Sequence, residues 1–218
     1  MAVTGFLISL SGIDGVGKST LGHRIQEFLW ARYELPSQYV WCKFGKHPFS
    51  RYRLSRLVRR DPEENLGTSK REDTSPSLLT DLYACGLLAV HLAHIATAVR
   101  MPLRQGKIVI CDRYIFDTMV DLQQEMGWSA ARIQGTLKAA WIPRPDFKFL
   151  LDLPEAAAFA RKNDTASLEF LRERRDAYMD IAEAQRLTII DAGQPIDRVF
   201  EQIMEPIIPV LEEGQPHA

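Results

Sequence analysis

The sequence predicts an α/β fold in which a parallel β-sheet is covered by helices on both faces. Short apolar runs of strand length alternate along the 218 residues with longer segments of helical character. The runs lack polar alternation, which is typical of strands buried on both faces of a parallel sheet. A glycine-rich turn at residues 12–20 joins the first run to the first helix. Since no repeat or linker appears, residues 1–218 are expected to form a single domain.

Five segments have the composition of buried strands, being rich in Ile, Val, Leu and Phe and bounded by turn residues or charges. In chain order they are residues 6–11, 38–42, 108–112, 147–153 and 187–191.

The helices are predicted from Leu- and Ala-rich periodic stretches between these runs. They are residues 20–32, 77–103, 118–126, 130–140, 154–186 with an interruption near Asn163, and 194–211. Pro143 and Pro145 end the fourth of them. Residues 44–60 are basic, with apolar side chains at helical spacing. This pattern favours a helix that covers the ligand site, and contact with nucleic acid is the alternative. Residues 61–76 are polar and predict a loop.

Composition limits the class of protein. The net charge is −1, with 46% apolar and 25% charged residues, so nothing attracts the chain as a whole to nucleic acid or an anionic membrane. The three cysteines, at positions 42, 85 and 111, are too few and scattered for a disulfide framework or a zinc site. No stretch is expected to reach the length of a membrane span. We therefore expect a cytoplasmic protein.

The turn after the first strand carries the strongest functional signal. It has the spacing G-x-x-x-x-G-K-S from Gly12 to Ser19. Glycines allow successive backbone N–H groups to turn toward a polyphosphate, and the following helix presents its positive N-terminal end. Lys18 is expected to reach the outer phosphates, while Ser19 offers its hydroxyl to Mg²⁺. The order strand, loop, helix predicts nucleotide binding rather than a structural turn.

A second polar group follows the third strand as Asp112, Arg113 and Tyr114. Ligands of open parallel sheets gather at the carboxyl ends of the strands, so this group should lie beside the glycine loop. Asp112 is predicted to hold Mg²⁺ and Arg113 to bind an acceptor or a migrating phosphoryl group, as phosphoryl transfer requires. The alternative is a surface ion pair at the end of a strand.

Five segments together resemble the thymidylate kinase family, a branch of the P-loop nucleoside-monophosphate kinases. The matching segments are residues 12–20, 106–114, 144–155, 168–178 and 190–192. The resemblance implies a three-layer P-loop kinase fold with a five-stranded parallel sheet flanked by helices, and ATP with Mg²⁺ as cofactors. It implies transfer of the γ-phosphoryl group to a small-molecule nucleotide acceptor, with dTMP the best single candidate, and a homodimer formed through the long helices.

The same resemblance assigns site residues. The predicted cofactor-binding residues are Gly12, Asp14, Gly15, Val16, Gly17, Lys18, Ser19, Thr20 and Ala192. The predicted acceptor-binding residues are Asp14, Arg51, Arg113 and Tyr114, with Asp14 at the sugar hydroxyl. Catalytic roles fall to Lys18, Asp112, Arg113 and Arg161, and the metal ligands are Ser19 and Asp112.

The chain also departs from the family. An Arg-Glu-Pro element usual after the second strand is replaced here by residues 41–46, and the long helix lacks the arginine that binds acceptor phosphate. Either Arg51, Arg53 or Arg56 supplies that charge, or the acceptor is not dTMP. A short lid is expected around residues 155–170, with Arg161 or Lys162 as its catalytic cation; a solvated charge at a helix end is the alternative.

Other functions remain open at this point. A related kinase could act on a nucleoside or a specialised metabolite, or the chain could be a nucleotide-dependent regulatory ATPase. No Asn-Lys-x-Asp motif is present to favour a guanine-nucleotide switch. A weakened binding protein would keep ATP affinity without transfer. Trp41 and Tyr83 could sandwich an acceptor base or pack in the core.

Overall fold

A computed structural model describes residues 5–44, 78–139, 142–161 and 167–213. Within these residues five strands form one sheet in the order β2-β3-β1-β4-β5, and every pairing is parallel. The strands are β1 (Leu7–Ser11), β2 (Ser37–Trp41), β3 (Ile108–Asp112), β4 (Phe147–Asp152) and β5 (Thr188–Asp191). The α/β class and the five-stranded parallel sheet are as predicted.

Helices connect the strands, and most of them match the predicted segments. They are α1 (Lys18–Tyr33), α2 (Leu78–Ile95), α3 (Met101–Arg104), α4 (Ile115–Gln124), α5 (Ala130–Ala139), α6 (Glu155–Arg161), α7 (Leu168–Gln185), α8 (Ile196–Met204) and α9 (Ile208–Glu213). The predicted segments at residues 44–60 and 61–76, apart from Phe44, lie outside the described residues. So does the interruption near Asn163.

The long helix is not uniform. A π-helical segment, Ala96–Arg100, lies between α2 and α3. Pro102 explains it, because proline has no N–H for the carbonyl four residues earlier and its ring would clash there. The Thr97 hydroxyl also contacts the carbonyls of Ala93 and His94 at 3.1 Å each. The sequence analysis predicted one continuous helix here and missed this change.

The predicted helix at residues 194–211 is divided into α8 and α9. The helix α8 ends at Met204, and Glu205 precedes Pro206; the residue before a proline is disfavoured in helical conformation. The turn at residues 205–207 still buries Ile207, so both short helices stay on the core.

Strands β1 and β3 lie in the core of the protein. All five residues of β1 and all five of β3 are buried. Leu21, Ile25 and Leu29 of α1 are 0–2% exposed and pack into the same core. Burial of that apolar area is the main force holding helix against sheet. Cys42 and Cys111 are buried as expected, whereas Cys85 is exposed.

Strand order places the carboxyl ends of β1 and β3 side by side. The chain crosses from β1 to β2 on one side, returns to β3, and then moves to β4 on the other side of β1. Ligands of such sheets bind at the point where the direction reverses. Both polar groups predicted from the sequence, residues 12–20 and 112–114, lie at this edge.

Helical residues Asp81–Arg104 are long and apolar enough to cross a membrane, with a mean hydropathy of 1.7, and 28% of the apolar window is buried. The expectation that no stretch reaches this length is therefore wrong. Exposed apolar side chains on the helix include Leu82, Val90 and Met101. Length and composition are the whole basis of this finding.

Candidate active site

The glycine loop is held in a shape that other residues cannot adopt. Gly12, Gly15 and Gly17 have φ values of 140°, 91° and 90°. A Cβ at Gly12 would lie 2.5 Å from the carbonyl oxygen of Leu151, and one at Gly15 would lie 2.7 Å from that of Ala158. Gly17 meets no such neighbour and is required by its φ alone. The loop is a backbone cradle of the kind that binds phosphate.

Lys18 folds back over this loop. It is the first residue of α1, is 6% exposed, and donates to the carbonyl oxygens of Gly12 at 2.9 Å and Ile13 at 2.8 Å. Burial, followed by the positive charge of Arg113, lowers the pKa of Lys18 to about 7, against the opposing effect of nearby carboxylates. The Lys18 side chain is therefore held at the loop, where a bound anion would stabilise its charged form.

Asp112, at the end of β3, has two unlike carboxylate oxygens. It is 2% exposed, and its Oδ2 accepts a hydrogen bond from the hydroxyl of Tyr39 at 2.7 Å. Its Oδ1 is buried and has no hydrogen-bond partner among the described residues. Buried polar atoms are rarely left so, and an unpaired carboxylate oxygen is a hard ligand suited to Mg²⁺ or its bound water.

The metal-ligand set fits a cation shared with phosphate. Ser19 lines the same cleft as Asp112. In the part of the chain that the structure describes, no group of three or more His, Cys, Asp or Glu residues could hold a metal ion. Mg²⁺ is usually bound by one or two protein oxygens together with substrate phosphates and water. The residues present therefore fit Mg²⁺ bound with a nucleotide.

Arg113 is buried beside the loop in an unusual conformation. Its φ is 62°, and it is 2% exposed. One guanidinium nitrogen donates to Oδ1 of Asp14 at 2.6 Å; the other donates to Asp117 at 3.1 Å and to the Tyr178 hydroxyl at 3.0 Å. These bonds fix the direction of the side chain toward the cleft. Asp112 and Arg113 are each 2% exposed, so they do not form the surface ion pair that was the alternative.

Asp117 anchors this arrangement from the first turn of α4. Its Oδ2 accepts from the hydroxyl of Ser11 at 2.6 Å and from the backbone N–H of Tyr114 at 3.1 Å. Its Oδ1 accepts from Arg113 and from the Tyr178 hydroxyl, the latter at 2.7 Å. The sequence analysis did not single out Asp117 and assigned no hydrogen-bonding role to Tyr178. The available signal for Asp117 was its position as an acidic residue in the first helical turn after Asp112 and Arg113.

Arg161 lies on the other side of the cleft, at the end of α6. Its Nη1 donates to the carbonyl oxygen of Ala192 at 3.4 Å. Ala192 itself is 5% exposed, and its N–H donates to the carbonyl oxygen of Asp152 at 2.7 Å. The structure thus brings Arg161 and Ala192 together, and Ala192 makes its contacts there through its backbone.

The remaining predicted residues are placed differently. Tyr114 is fully buried, and its hydroxyl donates to the carbonyl of Pro143 at 3.0 Å, so its side chain does not line the cleft. Val16 is buried in the core and can contribute only backbone to the loop. Thr20 is exposed on α1 outside the cleft lining. Arg51 lies outside the described residues.

The cleft that these groups form has a volume of about 540 Å³. Predicted residues in its lining are Asp14, Gly15, Gly17, Lys18, Ser19, Asp112, Arg113 and Arg161. Tyr39, Trp41 and Lys43 also line it, and all three come from β2 or the two residues after it. Lys43 and Tyr39 had not been predicted as site residues. A cation just past the end of a strand was the signal for Lys43.

Comparisons with known proteins agree with this geometry. A family model described as thymidylate kinase matches residues 56–203, which is more than half of the chain. The chain belongs to the thymidylate kinase family. Thymidylate kinases from Pseudomonas fluorescens and Leifsonia xyli are 29% and 30% identical, covering 97% and 91% of this chain and 98% and 92% of their own lengths. A probable thymidylate kinase from Staphylothermus marinus is 27% identical over 91% of this chain and 92% of its own length.

Membership in the thymidylate kinase family makes the chain a nucleotide kinase, a phosphotransferase that uses ATP as phosphate donor. The family model begins at residue 56, after the glycine loop, whereas the relatives extend the likeness over nearly the whole chain. The resemblance and the enzyme class stated from the sequence are therefore confirmed.

Protonation of Lys18 should accompany nucleotide binding. The free protein holds the pKa of Lys18 at about 7, so at pH 8 the amine is mostly neutral. A triphosphate beside it raises that pKa, and binding of Mg·ATP should take up about one proton per site. Calorimetric titrations at pH 8 in buffers of different ionisation enthalpy measure this uptake. Lys18→Met should abolish it; a binding enthalpy that does not depend on the buffer would contradict the prediction.

Proposed function

We propose that this kinase transfers the γ-phosphoryl group of ATP to dTMP. The observation that supports the proposal best is the convergence of Lys18, Asp112 and Arg113 around the glycine loop in one cleft, at the carboxyl edge of the sheet. Phosphoryl transfer requires little covalent chemistry from the protein. It requires two anions to be brought together and the charge on the moving group to be stabilised.

The donor side is built by the loop and the start of α1. Backbone amides of residues 12–20 would hold the phosphates, and Lys18 would place its charge on the outer ones. Ser19 and Asp112 would hold Mg²⁺, which supplies positive charge to the phosphate oxygens when bound. Ala192 and Gly193 would contribute backbone beside the adenine, with Arg161 close to them.

The transfer and acceptor side is built by Arg113 and Asp14. Arg113 is held in place by Asp117 and Tyr178, so its guanidinium can meet a phosphate without first being ordered. Preorganised charge of this kind is the largest part of catalysis in many enzymes. Asp14 would accept from an acceptor sugar hydroxyl, and it already pairs with Arg113 at this position.

Lys43 is our candidate for the cation that binds the acceptor phosphate, in place of the arginine that the long helix lacks. It follows β2, where the Arg-Glu-Pro element is absent, and its ammonium lies 3.9 Å from Oδ2 of Asp14. Its side chain is 19% exposed and lines the cleft. Lysine binds phosphate as a point charge and lacks the two-pronged geometry of arginine. Arg51 remains a predicted second contributor outside the described residues.

A different acceptor is the second candidate function. Lys43 and the half-exposed Trp41 lie where the family usually has the Arg-Glu-Pro element. Trp41 offers a flat apolar face on which a base could stack. A nucleoside or a specialised metabolite could use that face. A regulatory ATPase is distinguished from either kinase because it would hydrolyse ATP without any acceptor.

The proposal extends to the whole chain. Residues 1–218 would form one kinase domain with a lid around residues 155–170, acting in the cytoplasm on a small-molecule nucleotide without nucleic-acid or membrane partners. The exposed apolar side chains of α2, such as Leu82 and Val90, suit a homodimer through this helix. Sedimentation equilibrium tests the dimer, which requires twice the mass of the chain; the mass of one chain would refute it.

An acceptor panel tests the function directly. The purified protein is incubated with Mg·ATP and each of several nucleosides and nucleoside monophosphates, and ADP and phosphorylated products are quantified. We expect ADP formation that depends on acceptor and is fastest with dTMP. Lys18→Ala should abolish transfer while the protein stays folded. ATP consumption that does not depend on any acceptor would contradict the kinase proposal, and a faster reaction with another acceptor would replace dTMP.

The role of Lys43 has its own signature. Lys43→Ala should raise the KM for the acceptor by about 10-fold or more, because a charged hydrogen bond to phosphate contributes about 1.5–3 kcal/mol. The KM for ATP should stay within a factor of about two. Lys138→Ala is the matched control, since Lys138 is exposed on α5 and does not line the cleft. Equal effects on both substrates would argue against an acceptor-side position.

A further inference from the structure

The side chain of Tyr39 contacts Asp112, one of the two residues that are candidates for holding the metal. Its hydroxyl donates to Oδ2 of Asp112 at 2.7 Å. In the parallel pairing of β2 with β3, Tyr39 is opposite Ile110 and Trp41 is opposite Asp112. Tyr39 therefore reaches diagonally across the two strands, a distance that long aromatic side chains can span. Tyr39 and Asp112 are 73 residues apart in sequence, so no local sequence pattern predicts this contact.

The ring of Tyr39 packs closely against α1. A Cβ at Gly22 would lie 2.7 Å and 2.9 Å from two ring carbons of Tyr39, so only glycine leaves space there. The imidazole of His23 stacks on the same ring, with centroids 4.2 Å apart and planes 30° apart. The ring therefore packs against α1 on one side while it also lines the cleft. Its hydroxyl position is fixed by packing rather than by the hydrogen bond alone.

Hydrogen-bond direction gives the Tyr39 hydroxyl a defined effect on its neighbours. It has one proton, which it donates to Oδ2 of Asp112. Asp112 has Oδ2 occupied and Oδ1 unpartnered among the described residues. The phenol therefore determines which oxygen of Asp112 is left for a cation.

We propose that Tyr39 is a positioning residue for the divalent cation: its hydroxyl holds Oδ2 of Asp112 and leaves Oδ1 for the metal, and Gly22 provides the space that its ring needs. This inference rests on the proposed function, since it concerns the cation that accompanies ATP. Residues that orient metal ligands commonly change metal affinity by about 10- to 100-fold when they are altered.

Tyr39→Phe removes the hydroxyl and keeps the ring packed against Gly22. We expect binding of Mn²⁺ to the complex with a non-hydrolysable ATP analogue, measured by electron paramagnetic resonance, to weaken by about 10-fold or more. Binding of the analogue without metal should be unchanged, which also shows that the variant is folded. In steady-state assays the KM for Mg²⁺ should rise, with kcat recovered at saturating Mg²⁺.

Tyr33→Phe is the matched control, because Tyr33 lies at the far end of α1, contacts Phe28 and does not line the cleft. It should leave Mn²⁺ affinity unchanged. The inference is overturned if Tyr39→Phe binds Mn²⁺ within a factor of two of the unaltered protein. If the unaltered protein binds neither the analogue nor Mn²⁺ with it, the proposed function fails first and this inference falls with it.

Discussion

The buried carboxylate of Asp117 is the interaction on which the site depends. It accepts four hydrogen bonds, from Ser11 on β1, the backbone N–H of Tyr114, the guanidinium of Arg113, and the hydroxyl of Tyr178 on α7. A charge with no exposure is tolerated only when it is paired and fully hydrogen-bonded. Three parts of the chain that are far apart in sequence therefore meet at this carboxylate.

The same bonds explain the backbone of Arg113. A non-glycine residue with φ of 62° is disfavoured by about 1–2 kcal/mol. Such conformations persist where the surroundings over-determine them, often at functional sites. Here Asp117 and Tyr178 hold one side of the guanidinium and Asp14 holds the other. The turn after β3 is thereby directed toward the glycine loop instead of continuing the strand.

Local patterns predicted most of the fold. The buried strands and the glycine loop could be predicted because each is encoded within about ten neighbouring residues. The order of the strands in the sheet was not predicted, because it depends on contacts between distant parts of the chain. The π-helical segment before Pro102 and the break at Pro206 were missed, because a helical pattern of apolar residues continues across both. The prolines were the signal in each case.

The site was predicted only where its chemistry is carried by a motif. Lys18, Ser19, Asp112 and Arg113 lie together as expected, since strand ends meet at one edge of a parallel sheet. The contacts of Tyr39 and Asp117 join residues 73 and 106 positions apart, and no local pattern encodes them. Tyr114, although adjacent to Arg113, is fully buried, and its hydroxyl donates to the carbonyl of Pro143.

The central claim is that Asp117 holds Arg113 for phosphoryl transfer and not for folding alone. Rapid-quench measurement of a single turnover of ATP with saturating acceptor tests it in Asp117→Asn, with Asp180→Asn, an exposed substitution on α7, as control. We expect the transfer rate of Asp117→Asn to fall by at least about 10-fold, which is 1.4 kcal/mol in the barrier, while ATP affinity stays within about three-fold. A folded Asp117→Asn protein that transfers phosphate as fast as the control would contradict the account.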